Sequence, residues 1–411
     1  MPTDSYNWRL DMPLLHLENL RVSYPQLNDR SLTWAVDNVS LSLAAGERLG
    51  LVGESGSGKS TVGRAIMRLL PTGSRVEGDI CFDGKSVLAL SPTELRAYRG
   101  EVVGLVFQDP MTRLNPVMSI GEHCIEMVRA HEPHLSRHQA KQRAVSTLEA
   151  VKIPKSRWHQ YPHEFSGGMR QRVAIALALL LNPRVVIADE PTTSLDVTVS
   201  AQILQELTRL CHERQMALLL ISHDLAMIAD YCDRIAVMTE GKLVETGTTQ
   251  TVFTQPQHDY TRQLLRSALH LHNADMSSFS ATVATAQSSK PHVTAESSSP
   301  KPLLRLTNLH QHFTLEINPL ERLLSRQDTT IRAVDGISLD LYAGETLGLV
   351  GESGCGKSTL CRTILHLLRP TAGTVEFLGQ NLTRLSRRQL QRQRRHLQMV
   401  FQDPRACLNP I

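Results

Sequence analysis

Two glycine-rich runs hold the residues of this chain best suited to chemistry: Gly53-Glu54-Ser55-Gly56-Ser57-Gly58-Lys59-Ser60-Thr61 and Gly351-Glu352-Ser353-Gly354-Cys355-Gly356-Lys357-Ser358-Thr359. Both fit G-x-x-x-x-G-K-S/T, the spacing of a phosphate-binding loop. Glycines let successive backbone N–H groups point inward around an anion, and the helix that follows adds its positive end. Gly53, Ser55, Gly56, Gly58 and Thr61 would line the first cradle, and Gly351, Gly354, Gly356 and Thr359 the second. Lys59 and Lys357 would reach the β- and γ-phosphates of a nucleotide, and Ser60 and Ser358 would ligate Mg²⁺. A single match could be an ordinary glycine-rich turn. Two in homologous surroundings are not.

The elements that must position these loops are legible around them. Each loop follows an apolar run, Leu49, Leu51, Val52 and Leu347, Leu349, Val350, as expected for a buried parallel strand. After the first loop, Val62, Ala65, Ile66, Leu69 and Leu70 fall on one helical face. The surroundings repeat as well: AVDNVSLSLAAGERLGLVGESGSGKST from Ala35 returns as AVDGISLDLYAGETLGLVGESGCGKST from Ala333, an offset of 298 residues. That period is too long for a solenoid and reads as two copies of one domain. Tyr24 and Phe313 match at an offset of 289, so copy two carries nine extra residues between Phe313 and Ala333. Each aromatic is a candidate platform for stacking an adenine, the alternative being a core aromatic on an edge strand.

Copy one continues through further polar residues at the ends of apolar segments. Val106-Phe107-Gln108 reads as a strand ending in a polar residue. Ser166, Gly167 and Gly168 open a helix with small residues that leave its N–H donors uncovered, fit to receive a phosphate. The apolar strand Val185 to Ala188 delivers Asp189 and Glu190, and the strand Ala217 to Ile221 delivers His223. Open α/β sheets place ligand chemistry at such strand tips.

In this order the motifs resemble the ATP-binding-cassette family, and the resemblance covers about residues 13–270 and 302–411. It implies an α/β P-loop fold, a RecA-like core with an antiparallel β subdomain and a helical subdomain, in tandem. Gly53 to Thr61 correspond to Walker A, Gln108 to the Q-loop, Ser166 to Gln171 to the signature, Asp189 and Glu190 to the end of Walker B, Ser194-Leu195-Asp196 to the D-loop, and His223 to the switch histidine. The implied roles are Mg²⁺ ligation at Ser60, Gln108, Asp189 and Ser358, general-base action by Glu190, and γ-phosphate contacts from Lys59 and His223. Gln108 and Gln402 would sense nucleotide. The runs QDPMTRLNP and PQHDYTRQLL resemble the importer branch for peptides, nickel or glutathione, whose ATPases work with two membrane permease subunits and a solute-binding protein. ATP in this family lies between the Walker A of one cassette and the signature of another, here from a second chain or a separate subunit. Copy two runs only as far as Gln402 and its following loop, so the expectation is a truncated second cassette and poor ATP hydrolysis by the chain on its own. The other function classes are a non-transport cassette protein acting on ribosomes or DNA, and a non-hydrolysing regulator.

Composition agrees with this reading. A chain of 411 residues accommodates two or three domains. A net charge of +4 is too small to imply nucleic-acid binding. No apolar stretch is long enough to cross a bilayer, and the N-terminus lacks a secretory h-region. These absences predict a chain that stays in the cytoplasm, and the resemblance implies the cytoplasmic face of the bacterial inner membrane, as a peripheral subunit. Seven cysteines without C-x-x-C spacing predict reduced thiols and no metal site. The Ser/Ala/Thr-rich segment 271–301 reads as a flexible tether between a complete domain, 1–270, and the second copy, 302–411. The basic run Arg384 to Leu397 is expected to be a solvated helix face.

Overall fold

Continuous apolar runs, unlike alternating ones, suit strands covered on both faces. In the computed structural model β7 (Val185–Asp189) and β8 (Ala217–Ser222) bury every residue. The structure describes residues 13–25, 33–109, 114–193, 195–272, 301–314, 330–352 and 354–401, divided between two compact units, 1–289 and 290–411.

In the first unit, β7 and β8 lie within a six-stranded sheet with β3 (Arg48–Val52), β6 (Val103–Val106), β9 (Arg234–Thr239) and β10 (Lys242–Thr248), in the order β10-β9-β3-β8-β7-β6. All neighbours pair parallel except β10 with β9. The period of two divides each buried strand between two cores. Val186, Ala188, Leu218 and Leu220 face the helices α3 (Ile120–His131), α4 (Arg137–Ala150), α5 (Gly167–Leu179) and α6 (Val197–Glu213). Val185, Ile187, Leu219 and Ile221 face α1 (Lys59–Ile66) and a second, antiparallel sheet. That sheet has the order β2-β1-β4-β5, from β1 (Leu15–Ser23), β2 (Trp34–Leu43), β4 (Arg75–Phe82) and β5 (Lys85–Ser86).

Register places the chemistry on one rim. Val52 lies opposite both Ser222 and Val237, Asp189 opposite Ile221, and Val106 opposite Ala188. The residues following Val52, Val106, Asp189 and Ser222 therefore emerge together at the carboxyl edge of the sheet. The helix after the first loop is shorter than its apolar pattern suggests. It ends at Ile66 because Arg68 turns left-handed, with φ 50°, and closes the last turn through its N–H to Ala65 O at 2.9 Å. Leu69 and Leu70 lie beyond it, Leu69 exposed.

The second unit repeats the antiparallel sheet: β11 (Leu304–Thr314), β12 (Thr330–Leu341), β13 (Ala372–Phe377) and β14 (Gln380–Asn381) follow the order β12-β11-β13-β14. One expectation fails here. The apolar run before the second loop is not a strand, and Leu347, Leu349 and Val350 are exposed, Val350 at 93%. In the first unit β3 is held between β8 and β9; among the described residues the second unit has no counterpart of either strand. A parallel strand without ladder partners has nothing to satisfy its backbone. The basic run does form a helix, Arg387–Gln393, which buries Leu390 and leaves Arg388 and Arg392 in solvent. Gln402 and nearly all of the tether lie outside the described residues. Among the described residues no helix is long and apolar enough to cross a membrane.

Candidate nucleotide-binding site

The first loop closes on its own lysine. Lys59 is 4% exposed, and its ammonium donates to the carbonyls of Gly53 and Glu54, each at 2.7 Å, and to Ser57 Oγ at 3.4 Å. Burial pulls its pKa down, while the carboxylates of Glu190 and Asp189 oppose that fall. Gly58, with φ 97°, caps α1 in the left-handed region, and a Cβ there would lie 2.3 Å from the Ala35 carbonyl. Only glycine meets both conditions. No side chain caps this helix start, so its N–H donors are free for an anion.

Beside it, the Ser60 hydroxyl donates to Asp189 Oδ1 at 2.7 Å. Asp189 is buried, and burial raises its pKa against the lowering effect of that hydrogen bond. A hydroxyl and a buried carboxylate next to an anion cradle form a hard, oxygen-only donor set, suited to Mg²⁺. Because its folded pKa lies above the unfolded value, Asp189 favours folding only at acid pH. That contribution is lost as pH rises through the folded pKa. At neutral pH the ionised side chain thus opposes folding, so Asp189→Asn should raise the melting temperature of the nucleotide-free chain. The rise is roughly 2–4 °C for each kcal/mol relieved. Mg²⁺-dependent nucleotide turnover should fall sharply in the same variant. A lower melting temperature would contradict this account.

Glu190 sits one residue past β7 with φ 46°, left-handed for a residue with a side chain, and its N–H donates to Ile221 O at 2.9 Å. Such a backbone carries a cost of about 1–2 kcal/mol, and residues held this way concentrate at functional sites. Its carboxylate is gripped from three sides. Gln108 Nε2 donates to Oε2 at 3.0 Å, Thr193 Oγ1 donates to Oε2 at 2.9 Å, and His223 Nδ1 lies 3.4 Å from Oε1. The structure thus joins Gln108 to Glu190, not to the Ser60–Asp189 pair. A cleft of about 470 Å³ opens beside Glu190, Thr193 and His223.

The helix α5 starts unlike its neighbours. Ser91, Ser119 and Ser136 each close a capping box on Glu94, Glu122 and Gln139. Ser166 makes no such bond, and with Gly167 it is exposed. Gly168 has a packing reason too, since a Cβ there would lie 2.7 Å from Val199 Cγ1. Among the described residues no hydrogen bond links Ser166, Gly167 or Gly168 to the first loop. Asp196 caps α6 by accepting from the Val199 N–H at 2.9 Å, whereas Ser194 lies outside the described residues. Tyr24 is tied to the start of α1, its hydroxyl 3.0 Å from Thr61 Oγ1.

In the second unit Lys357 reproduces the first loop. It donates to Gly351 O at 2.5 Å and Glu352 O at 2.6 Å, and Gly356 has φ 96° against the Ala333 carbonyl. Ser55, Gly56 and Gly354 lie in the turns of the two loops, and Cys355 is exposed. Ser358 and Thr359 begin the following helix, and among the described residues no carboxylate bonds Ser358. Phe313 is 37% exposed near the end of β11.

Two contributors were not singled out in the sequence. Thr193 was hidden in the turn after Glu190, although a hydroxyl three residues past a strand-tip carboxylate could have marked it. Tyr260, in the helix Asp259–His272, accepts from the Glu54 N–H at 3.0 Å. Contact across that sequence distance leaves no local signal.

Residues 36–193 and 334–410 match the ABC transporter family. The chain is 42% identical over 97% of its length to the glutathione import ATP-binding protein GsiA of Shigella dysenteriae serotype 1, covering 65% of that protein. It is equally identical, again over 97% of its length, to the peptidoglycan transport ATP-binding protein YejF of Agrobacterium fabrum, covering 68%. The chain thus spans about two thirds of the length of these relatives. Among solved structures it resembles the ATP-binding cassette MJ0796 in a dimeric post-hydrolysis state bound to ADP and Pi, at TM-score 0.51 and 29% identity, covering 57% of this chain and 98% of that one. It also resembles cbiO1 of Clostridium perfringens, part of the ABC transporter complex cbiONQ, at TM-score 0.51 and 28% identity, covering 59% and 91%. The fold, the repeated loop and these matches agree: the chain belongs to the ABC transporter family.

Proposed function

We propose that this chain is the ATP-hydrolysing subunit of an importer for peptides, glutathione or related small solutes. The observation that carries the reading is the carboxylate of Glu190, oriented by Gln108, Thr193 and His223 on the same rim as the Ser60–Asp189 pair and the Lys59 loop. The first loop's backbone donors and Lys59 hold the β- and γ-phosphates, Tyr24 offers a face to the adenine, and Ser60 and Asp189 hold Mg²⁺. Mg²⁺, when bound, neutralises charge on the transferring phosphoryl group. Glu190 accepts the proton of the attacking water at Oε1, the oxygen that Gln108 and Thr193 leave open because both donate to Oε2 and so fix the carboxylate. His223, at the tip of β8, steers the γ-phosphate end of the cleft. Ser166, Gly167 and Gly168 present their free donors to the nucleotide of a second cassette, so each site is completed by a partner. Lys357, Ser358 and Thr359 offer a second phosphate cradle.

The import reading is supported by the relatives, one named for glutathione import and one for peptidoglycan transport. A groove of about 510 Å³ between β6 and helices α3 and α5, lined by Phe107, Leu114, His123, Met127 and Leu177, is a seat for a permease segment. Binding there would place Gln108, directly after Phe107, under the partner's influence. Two permease subunits and a solute-binding protein complete the assembly, at the cytoplasmic face of the bacterial inner membrane. Affinity purification from solubilised membranes tests this: a polytopic membrane partner is expected to co-purify. Recovery with ribosomes and no membrane protein would overturn the import reading and favour a translation-linked cassette.

A further inference from the structure

We propose that His310, His312 and Asp335, on the outer face of the second unit's antiparallel sheet, form a binding site for a divalent transition-metal ion of the zinc class. It is independent of the nucleotide chemistry above. His310 and His312 are two apart on β11 and so share a face. Between them Gln311, and across from it Val334, point into the core, which sends Asp335 of β12 to the same outer face as the histidines.

The three ligand atoms already converge. His310 Nδ1 is 2.8 Å and His312 Nε2 is 3.1 Å from the same oxygen, Asp335 Oδ1, and one ligand atom from each residue falls within 4.8 Å of the others. Tetrahedral zinc with bonds of about 2.0–2.1 Å separates its ligand atoms by about 3.3 Å, so each nitrogen needs only a small shift away from Asp335 Oδ1. Imidazole and carboxylate together suit zinc and its neighbours, and three protein ligands leave a fourth position for water.

The surroundings hold the ligands in place. His310 Nε2 lies 3.1 Å from Asn308 Oδ1; donation to that oxygen leaves Nδ1 as the lone-pair atom, facing inward. The backbone of both histidines is pinned by one residue. Thr371 N–H donates to His310 O at 2.8 Å, and His312 N–H donates to Thr371 Oγ1 at 2.9 Å. The rings meet edge to face with centroids 5.6 Å apart.

The first unit supplies an internal comparison. Its β1–β2 ladder pairs Val22 with Val36 where β11–β12 pairs Gln311 with Val334, so Arg21, Ser23 and Asp37 occupy the positions of His310, His312 and Asp335. Asn19 and Asn308 share even the left-handed backbone, at φ 46° and 45°. There Arg21 Nε contacts Asp37 Oδ1 at 3.0 Å, an ordinary ion pair that fills the position with its own cation. The second copy keeps the aspartate and the sheet but replaces the arginine and serine with two metal-ligating side chains on Asp335 Oδ1, while Arg332 lies 3.6 Å from the other oxygen, Oδ2. None of this was visible from cysteine spacing, which gave no sign of a metal site.

The test is Zn²⁺ binding to the full chain by equilibrium dialysis, with Co²⁺ as a spectroscopic substitute. The comparison is with the double variant His310→Arg/His312→Ser, which installs the first unit's own residues and so keeps a pairing that this sheet already tolerates. One Zn²⁺ per chain is expected, weakened by about 100-fold or more in the double variant and by about 10–100-fold in Asn308→Ala. Zn²⁺ should also raise the melting temperature of the wild-type chain and not that of the double variant. Co²⁺ should show tetrahedral nitrogen/oxygen d–d bands without thiolate charge transfer. Equal Zn²⁺ affinity in the double variant, no binding by the wild type, or thiolate bands assigning the ion to cysteines would each overturn the proposal.

Discussion

Lys59→Met should leave the nucleotide-free chain folded while removing ATP binding and turnover at the first loop. The ammonium sits almost wholly buried, and burial already disfavours its charge. Methionine, close in volume, relieves the desolvated charge but unpairs the Gly53 and Glu54 carbonyls that the ammonium satisfies, so it should cost no more than about 1–3 kcal/mol of stability. Nucleotide phosphates, in contrast, lose the one cation that the loop aims at them. An electrostatic contact of this kind is worth about 10²–10³-fold in rate. The expected result is therefore a split: the chain stays folded with at most a modest loss of stability, while kcat/KM for ATP falls by at least that factor. Thermal melts read one and a coupled phosphate-release assay the other. Parallel collapse of both would mean that Lys59 is a structural residue.

Glu190→Gln should separate binding from hydrolysis. The amide keeps the size of the carboxylate and can still accept from Thr193, but it cannot take a proton from water. Loss of a general base lowers turnover by about 10²–10⁴-fold. Affinity for ATP should be retained or increased, because Lys59, Ser60 and Asp189 are untouched. A comparable loss from Gln108→Ala or Thr193→Ala is not expected, since either leaves the carboxylate in place with its other neighbours.

How far the sequence foretold this arrangement depends on the reach of each signal. The loops were legible because glycine at a left-handed position such as Gly58 has no substitute, and the lysine must follow it directly. Asp189, Glu190 and His223 were legible because they interrupt uniformly apolar strands that could only be buried. Their meeting on one rim depended on the strand order β3-β8-β7-β6, which a family resemblance implies and no local pattern contains. Tyr260 escaped for the same reason, its contact with Glu54 being tertiary, whereas Thr193 lies only three residues from Glu190 and its local signal went unread. The apolar run at Leu347, Leu349 and Val350 misled in the opposite direction. Its composition fits a strand, yet strand formation is a property of the pair, and its ladder partners have no counterpart among the described residues. Arg68 shows a third limit, because one left-handed residue ends a helix whose apolar period continues past it.

The most direct test of the central claim, that the first unit is a Glu190-dependent ATPase, is the fate of radiolabelled ATP on the Glu190→Gln chain with Mg²⁺. After rapid gel filtration the nucleotide bound to the variant should be ATP, while the wild-type chain under the same conditions yields ADP and phosphate. Conversion to ADP by the variant at the wild-type rate would contradict the account.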